Sequence, residues 1–440
     1  MWFKKKKKDL TNIYFSEDWI NEWKLSIETS KEYKKAAKNW NAPVLLKIEP
    51  APEVLREKNS IGFYLDLQYG ECHELKYATD KDTDSSDIIL TASEQTWLKL
   101  IEQKKDPTMM ILKGSLSLEK GSLVQLSTQR RAAKALLETA PAYNAKSLKK
   151  DYVSEIIDQN RPVKKNNTFV TTGKGLNFES FPMQLFQKAK KFGVWNPTEI
   201  DFKQDINDWS NLSESEKEII LHLSSLFMAG EEAVTLELLP LILTIAKEGR
   251  LEEEIYLTSF LWEEAKHTEF FSRFVKEVMG NRPDFERFHA PFYKTLIYDK
   301  LPNHLNNLYT DPSPMAQLKA SGTYNMIVEG TLAETGYEAY YKMLSENNLM
   351  PGLQEGITKL KQDESRHIAY GLYLINRLLE ENPECREPFE NHLEEMLDDA
   401  TNIIHEIFEP YDVVPFGLEK EWFLDIAIKQ FQHRLQKIGF

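Results

Sequence analysis

The stretches FLWEEAKHTEFF (residues 260–271) and KQDESRHIAYG (residues 361–371) decide the fold, because each sets a Glu-x-x-His motif on an apolar helical pattern. Residues three apart in a helix share a face, so each motif presents a carboxylate and an imidazole to one point. A lone glutamate precedes each motif, in FMAGEEAVTLELLP (residues 227–240) and in YNMIVEGTLAETGY (residues 324–337). The chain therefore carries the same arrangement twice, as a glutamate followed by Glu-x-x-His.

The two repeats supply six candidate metal ligands. From lone glutamate to motif glutamate the spacing is 33 residues in the first repeat and 35 in the second, which lets one helix finish, turn and return antiparallel at about 1.5 Å per residue. This is the pattern of ferritin-like helical bundles that hold two iron or manganese ions. The candidate ligands are Glu231, Glu264, His267, Glu329, Glu364 and His367.

The chemistry of this set favours a redox-active metal pair. Four carboxylates and two neutral imidazoles suit iron or manganese, and four negative charges nearly balance two divalent ions. Two such ions about 3.5–4 Å apart can clamp a small bridging ligand such as dioxygen. The spacing supports either dioxygen activation or iron handling, and helical stripes alone leave Glu232 and Glu263 open as alternatives to their neighbours.

A purely structural interpretation of these residues has to be weighed. Glutamate is common enough that nine histidines give about one Glu-x-x-His by chance, and the chain has three. The third, Glu286 with His289, lies between Pro283 and Pro291, where a long core helix is not expected. The other two lie on apolar faces, where unpaired carboxylates would cost several kcal/mol each unless they were protonated or bound to cations.

Composition narrows the class of protein. A length of 440 residues favours two domains, and a net charge of −14 argues against a nucleic-acid partner. No uninterrupted apolar stretch reaches about 18 residues, which predicts no stable membrane insertion. The basic run at residues 4–8 lacks a following apolar region, so it does not read as a secretory signal. Two cysteines form no disulfide framework or thiolate metal motif, and we expect a cytoplasmic protein.

The pattern divides the chain into an α+β domain at 1–140, a polar linker at 141–167 and an all-α ferritin-like bundle at 168–440. Alternating runs such as GFYLDLQYG predict strands of a small sheet, and SEQTWLKLIEQKK predicts an amphipathic helix. DKDTDSSD is interpreted as a polar turn, and a hairpin-like pair is predicted around Glu119, Lys120 and Gly121. In the bundle, long helices are predicted to end at Gly249 and Gly280, with a kink at Pro240.

Residues 42–140 resemble the sterol carrier protein domain. The resemblance rests on the order of DIILTASEQTWLKLI and DPTMMILKGSLSLEKGSLVQL, although the glycine that the family often places before its Asp-Pro turn is absent. It implies a lipid-binding domain with a hydrophobic tunnel for fatty acyl or sterol-like molecules. Met109, Met110 and Leu112 are candidates for lining that tunnel, but core packing is the favoured role for each.

Residues 168–440 resemble the ligand-binding oxidases related to the small subunit of ribonucleotide reductase. The stretches KKFGVWNPTEIDF, AGEEAVTLELLP, EEAKHTEFFSRF, TYNMIVEGTLAETGY and DESRHIAYG carry this resemblance. It implies a mixed manganese–iron centre, with a di-iron centre as the alternative, held by the six ligands above. It selects Glu231 over Glu232 and Glu264 over Glu263. A homodimer, dioxygen as oxidant and an unidentified electron donor are also implied.

The same resemblance implies an ether cross-link between Val234 and Tyr324, formed by a two-electron oxidation at the assembled site. Val234 lies one turn beyond Glu231 and Tyr324 precedes Glu329 by five residues, so both can face the metals. The family also implies a long-chain fatty acid whose carboxylate bridges the metals in an apolar tunnel. A lipid carrier on the same chain would fit that ligand, so we expect the front domain to deliver or shield an acyl substrate.

Three alternative functions remain. One is a true ribonucleotide reductase small subunit, but its radical-forming members usually carry a tyrosine seven residues after the first motif glutamate, where this chain has Phe271. Another is a non-catalytic lipid- or metal-binding protein, which would take up no dioxygen. The third is an acyl desaturase, which shares the ligand pattern but releases unsaturated products.

Overall fold

The computed structural model describes residues 14–51, 61–143, 169–280 and 284–440. By its internal contacts the chain divides into two compact units, Met1–Val153 and Ser154–Phe440, here called the front and rear units. Most of the predicted linker, residues 144–167, lies outside the described residues, as does the basic run at residues 4–8. Among the described residues, no helix is both long enough and apolar enough to cross a bilayer.

The front unit contains a mixed sheet together with helices, which confirms the predicted α+β fold class. The sheet has the strand order β3-β2-β1-β4-β5, in which β1 runs parallel to β4 and the other neighbours are antiparallel. Strand β2 alternates buried and half-buried residues along its whole length, which is the period of a strand with one face in the core. The elements are α1 (Glu17–Thr29), α2 (Lys31–Ala36), β1 (Val44–Ile48), β2 (Ile61–Gln68), β3 (Glu71–Tyr77), α3 (Asp80–Ser85), β4 (Ile88–Ala92), α4 (Glu94–Glu102), α5 (Pro107–Leu112), β5 (Ser117–Lys120), α6 (Leu123–Thr128) and α7 (Arg130–Glu138).

Two local predictions in the front unit were wrong. The stretch interpreted as a polar turn forms α3, because the carboxylate of Asp82 accepts from the backbone and hydroxyl of Thr79 and completes a capping box. The predicted hairpin around Gly121 is absent from the described residues. Instead β5 pairs with β4, and Ser122 caps α6 by accepting from the backbone N–H of Gln125.

The rear unit is all-α, as predicted. Its α-helices are α8 (Val170–Gly173), α9 (Phe181–Phe192), α10 (Lys203–Asn211), α11 (Glu214–Glu237), α12 (Leu239–Glu248), α13 (Leu251–Phe274), α14 (Pro291–Tyr293), α15 (Leu301–Asn306), α16 (Pro314–Ser321), α17 (Glu334–Tyr340), α18 (Pro351–Glu381), α19 (Arg386–Phe408) and α20 (Lys420–Lys437). In the part of the rear unit that the structure describes, four π-helical segments, π1 to π4, cover Val275–Met279, Lys294–Lys300, Gly322–Ala333 and Tyr341–Ser345.

The ends of the long helices follow the sequence signals. Ser213 and Glu216 form a capping box at the start of α11. Pro240 stands at the beginning of α12, where the chain breaks from α11, so the predicted kink is a junction between two helices. Gly249 ends α12 in the left-handed conformation, and Gly280 ends π1 with a positive φ of 76°.

The π-helix π3 places Tyr324 and Glu329 on nearly the same face, which an α-helix would not do. It carries both Tyr324 and Glu329, which are five residues apart. In an α-helix five residues correspond to a rotation of about 140° off the same face, whereas a π-helix closes its hydrogen bonds at the fifth residue. Residues five apart therefore lie nearly above one another here, and both side chains are buried.

Candidate metal centre

The structure brings all six predicted ligands together in the interior of the rear unit. Glu231 comes from α11, Glu264 and His267 from α13, Glu329 from π3, and Glu364 and His367 from α18. None of the six is more than 6% exposed. The third motif is elsewhere: the ring of His289 contacts the hydroxyl groups of Ser225 at 2.8 Å and Tyr298 at 2.7 Å, so it takes no part in the cluster.

Two overlapping sets of four ligand atoms make the geometry dinuclear. Position 1 consists of Glu231, Glu264, His267 and Glu364, and position 2 consists of Glu264, Glu329, Glu364 and His367. Within each set the ligand atoms lie within 4.8 Å of one another. Each set has a private glutamate and histidine, while Glu264 and Glu364 belong to both.

The shared carboxylates place one oxygen at each position. At position 1, His267 Nδ1 lies 3.4 Å from Glu264 Oε2 and 3.3 Å from Glu364 Oε1. At position 2, His367 Nδ1 lies 2.9 Å from Glu264 Oε1 and 3.4 Å from Glu364 Oε2. Ligand atoms around one ion at bond lengths of about 2.0–2.2 Å are separated by distances of this order. The two glutamates therefore have the geometry of bridging ligands.

Several polar atoms of the cluster have no hydrogen-bond partner. Five of its buried atoms have no hydrogen-bond partner, which is a costly arrangement unless a cation binds them. These atoms are Glu264 Oε2, His267 Nδ1, Glu329 Oε1, Glu364 Oε2 and His367 Nδ1. The donor set and its orphaned atoms thus fit a pair of transition ions.

The pKa shifts of the clustered glutamates and histidines indicate that negative charge is concentrated in the cluster. Burial raises the pKa of Glu231 to about 8, and burial together with the charge of Glu364 raises the pKa of Glu329 well above its ordinary value. Burial alone would lower the pKa of His267, but the carboxylates of Glu231 and Asp363 outweigh it and raise that pKa. Four buried carboxylates share two imidazoles, and divalent cations would balance the excess charge.

Two carboxylates outside the ligand set orient the histidines, and they do so across the repeats. His367 Nε2 lies 2.9 Å from Glu263 Oε2, and His267 Nε2 lies 3.3 Å from Asp363 Oδ2. Each acidic residue precedes the ligand glutamate of one motif but contacts the histidine of the other. Such contacts fix the ring orientation, so that the remaining nitrogen, Nδ1, points into the cluster.

These outer carboxylates are neutralised by buried cations. Arg366 Nη2 donates to Glu263 Oε1 and to Asp363 Oδ1, each at 2.5 Å, and Lys266 Nζ donates to Asp363 Oδ2 at 3.0 Å. The indole of Trp195 donates to the same Asp363 oxygen at 2.8 Å. A β-carbon on Gly193 would lie 2.0 Å from Glu263 Oε1, so only glycine fits beside this network.

These outer residues were not predicted from the sequence, although the sequence carries a signal for them. EEAKH and DESRH both read acidic-Glu-x-basic-His, so the residues flanking the ligands repeat as regularly as the ligands do. The structure places Glu264 and Glu231 in the cluster, and Glu263 and Glu232 outside it. Glu263 contacts a histidine from outside the ligand set, and Glu232 is exposed.

The two residues of the predicted cross-link are buried beside the ligands. Tyr324 Oη donates to Glu264 Oε1 at 3.1 Å. Val234 lines the same cavity as Glu231 and Glu264. Asn325 holds Glu329 by donating from Nδ2 to Glu329 Oε2 at 2.8 Å.

An apolar cavity leads to the cluster. Its lining is dominated by aliphatic and aromatic side chains, and the charged residues in that lining are Glu231, Glu264, Glu329 and Glu364. Phe271, at the position where radical-forming reductase subunits usually have a tyrosine, is fully buried and stacks on Phe227 with ring centroids 5.4 Å apart.

Comparison with protein families defines the class. Residues 183–425, more than half of the chain, match the ribonucleotide reductase small chain, and residues 20–124 match the SCP-2 sterol transfer family. The chain therefore belongs to the ribonucleotide reductase small chain family, with an SCP-2 domain in front.

Solved structures narrow the class to its ligand-binding oxidases. An R2-like ligand-binding oxidase with aerobically reconstituted Mn/Fe cofactor is 38% identical, with a TM-score of 0.60, and the match covers 62% of this chain and 98% of that one. A variant of such an oxidase in which a valine is replaced by leucine, with anaerobically reconstituted Mn/Fe cofactor, is 38% identical, with the same coverage and a TM-score of 0.59. A variant in which a tyrosine is replaced by phenylalanine, with aerobically reconstituted Mn/Fe cofactor, is 39% identical, again with that coverage and a TM-score of 0.59.

These matches confirm the predicted resemblances, the fold class and the assignment to the oxidoreductases. The relatives carry the Mn/Fe cofactor that the sequence analysis predicted, and the buried cluster of this chain can hold metal.

Proposed function

We propose that the rear unit is a dioxygen-activating Mn/Fe oxidase that acts on a bound long-chain fatty acid. The observation that carries the proposal is the apolar cavity whose charged lining consists of the cluster glutamates. A hydrocarbon chain matches the apolar wall, and an acid headgroup at the glutamate end would be neutralised by cations there. A di-iron centre is the alternative cofactor.

The ligands of the proposed metal pair are the six clustered side chains. Glu231 and His267 would hold an ion at position 1, Glu329 and His367 would hold one at position 2, and the two remaining glutamates, which belong to both sets, would serve both ions. When bound, the metal pair supplies the reduction of dioxygen and an oxidant for nearby C–H and O–H bonds. The apolar walls of the cavity exclude water from that chemistry.

We propose that Val234 and Tyr324 become joined by an ether bond. The bond forms between the Tyr324 oxygen and a carbon of the Val234 side chain, and it removes one hydrogen from each. The two electrons released pass to dioxygen. The contact between Tyr324 Oη and Glu264 supports this chemistry, because the carboxylate is placed to accept the hydroxyl proton.

Anaerobic loading of the purified protein with Mn(II) and Fe(II), followed by exposure to dioxygen, tests the oxidase assignment. We expect rapid dioxygen uptake and a Val234–Tyr324 peptide species lighter than the unlinked pair by two hydrogen atoms. A sample kept anaerobic is the control and should give the two peptides separately. Metal binding without dioxygen uptake would favour a non-catalytic binding protein, and a stable tyrosyl radical would favour a reductase subunit.

We also propose that residues 1–140 form a lipid-carrying domain that supplies the rear unit, residues 168–440, through the linker 141–167. The SCP-2 match and a small apolar cavity, lined by Trp40, Trp97 and Ile111 among others, support this role. Thr108 is among the residues that line that cavity, and its buried hydroxyl has no hydrogen-bond partner, which makes it a candidate contact for a lipid headgroup. Met109, Met110 and Leu112 are buried but do not line this cavity, so their place in the structure is that of the favoured role, core packing.

The supply hypothesis is tested by replacing Thr108 with valine in the full chain. We expect slower loading of a fatty acid into the rear unit with unchanged metal content, because Thr108 lines the front cavity and the six clustered ligands belong to the rear unit. Equal loading rates in the variant and the wild type would refute the supply hypothesis.

A homodimer and a cytoplasmic location stay predictions, which light scattering and cell fractionation can check.

A further inference from the structure

Three aromatic side chains form a line of contacts that begins at His367, a proposed ligand of position 2. The ring of Phe260 stacks on the imidazole of His367, with centroids 3.6 Å apart. The ring of Tyr256 lies 6.1 Å from that of Phe260 and 5.2 Å from that of Tyr370. Phe260, Tyr256 and Tyr370 are fully buried, and they do not line the apolar cavity. The line of rings therefore lies apart from the proposed binding place of the substrate.

The same line continues to the surface of the rear unit. The ring of Tyr373 lies 6.2 Å from that of Tyr370, and the ring of Phe181 lies 5.5 Å from that of Tyr373. Tyr373 is half-buried, and Phe181 is 38% exposed. Aromatic pairs with centroids within about 7 Å are in contact, so each ring touches the next from the cluster to the solvent. Electrons move readily between aromatic groups that are this close.

Tyr370 has a base for its proton. Its hydroxyl donates to Oε2 of Glu253 at 3.0 Å, and Glu253 is 3% exposed. Burial raises the pKa of Glu253, which makes its carboxylate a better proton acceptor. A guanidinium nitrogen of Arg377 lies 3.4 Å from the same oxygen. The hydroxyl of Tyr256, in contrast, has no hydrogen-bond partner among the described residues.

The proton acceptor decides which ring on the line can lose an electron. A tyrosine gives up an electron easily only when its phenol proton leaves with it, because the oxidised phenol is a strong acid. Tyr324 and Tyr370 meet this condition in the same way, since each is buried and donates to a buried glutamate. Phe260 has no hydroxyl and Tyr256 has no proton acceptor, so their rings can carry an electron across but cannot hold the vacancy.

We propose that Tyr370 is a relay for single electrons between the proposed metal centre and the surface of the rear unit. When the oxidant made from dioxygen finds no bond to attack, one electron passes from Tyr370 through Tyr256 and Phe260 to the centre, and the phenol proton passes to Glu253. A neutral tyrosyl radical remains. One electron from a one-electron reductant at the surface, together with the proton returned by Glu253, restores the tyrosine. This inference rests on the proposed function and adds to it a route by which unused oxidant is discharged.

The Tyr324→Phe variant is the background in which the relay should be visible. Without the phenol of Tyr324 the ether bond cannot form, so the two electrons that it would release must come from elsewhere. The full-length variant is loaded anaerobically with Mn(II) and Fe(II), mixed with dioxygen and frozen at successive times for electron paramagnetic resonance. We expect a short-lived tyrosyl radical whose spectrum narrows when the tyrosine rings are deuterated. Adding Tyr370→Phe should remove this radical, and adding ascorbate should shorten its lifetime.

Two further substitutions in the same background separate proton transfer from packing. Glu253→Gln keeps the shape of the acceptor and its contact with Tyr370 but cannot take the proton, so the radical should form about 100-fold more slowly. Tyr340→Phe is the matched control and should leave the radical unchanged. Tyr340 is as deeply buried, but its hydroxyl contacts the hydroxyl of Ser224 at 2.9 Å instead of a carboxylate. Metal content and melting temperature show whether each variant is folded, and Glu253→Gln decides if Tyr370→Phe is not.

The outcomes separate the relay from the proposed function. Dioxygen uptake without any radical in the Tyr324→Phe background, or with a radical that survives Tyr370→Phe, would overturn the relay and leave the oxidase assignment standing. An unchanged rate of radical formation in Glu253→Gln would overturn it as well. Absence of dioxygen uptake by the metal-loaded wild type, or a radical that is stable for hours, would reject both the relay and the oxidase assignment.

Discussion

Replacing Glu263 with glutamine should weaken metal binding at position 2, although Glu263 belongs to the sequence motif that serves position 1. Glu263 accepts from His367 Nε2 and from Arg366, and all three side chains are at most 5% exposed. Glutamine keeps the length and shape of the side chain but removes its charge. His367 then becomes a weaker ligand, and Arg366 loses one of its two carboxylate partners.

The magnitude follows from the role of such outer contacts. Loss of a hydrogen-bonded partner of a ligating histidine costs about 10- to 100-fold in metal affinity, which corresponds to about 1.4–2.7 kcal/mol. Asp363→Asn is the mirror image and should weaken position 1, because Asp363 contacts His267. Each variant should weaken metal binding at one position only, and the two variants should affect opposite positions. General destabilisation of the bundle would instead weaken metal binding at both positions.

The assay is titration with Mn(II) and Fe(II) under anaerobic conditions, with metal content measured after dialysis and the remaining ion located by anomalous diffraction. Glu232→Gln is the matched control, because Glu232 also neighbours a ligand glutamate but is exposed, and it should behave as wild type. Retention of position 2 with loss of position 1 in Glu263→Gln, or equal affinity for both, would refute the reasoning.

Three further changes probe other parts of the molecule. Tyr324→Phe removes the hydroxyl that donates to Glu264 and should abolish the linked peptide in mass spectra while leaving metal content unchanged; a linked species would show that another residue forms the ether. Glu329→Ala removes a private ligand of position 2 and should reduce the bound metal from two ions to one, and retention of both ions would exclude Glu329 as a ligand. Asp106→Asn breaks a buried 2.8 Å contact with Arg130 and should lower the free energy of unfolding of the front unit by about 3 kcal/mol in a denaturant titration; a change within about 0.5 kcal/mol would mean that the pair contributes little.

The ligand cluster was predictable because its signal is local and periodic. Glu264 and His267 are three residues apart on one helix, and the same holds for Glu364 and His367, so helical geometry alone brings each pair together. Buried carboxylates on apolar faces then require cations, which is a statement about charge and does not depend on the details of packing. The position of Tyr324 could not be predicted from helical spacing alone, because the face on which it lies depends on a π-helix that no sequence pattern indicates.

The outer shell was not predicted because its contacts cross between repeats. Glu263 and His367 are 104 residues apart, and no rule of helical spacing connects them. The same limit applies to the front unit, where α3 formed in place of a turn because a side chain of the polar stretch capped its own helix. The cavity is lined by residues from several helices, so it becomes visible only after those helices have packed.

The existence of a dinuclear metal centre on the six clustered residues is tested by locating bound metal in the full-length protein. Crystals of protein loaded with Mn(II) and Fe(II), with anomalous data collected at the edges of both elements, should show two ions about 3.5–4 Å apart, one at each position. Both should contact Glu264 and Glu364, with one histidine on each. A single ion, or a pair bound elsewhere on the chain, would contradict the account.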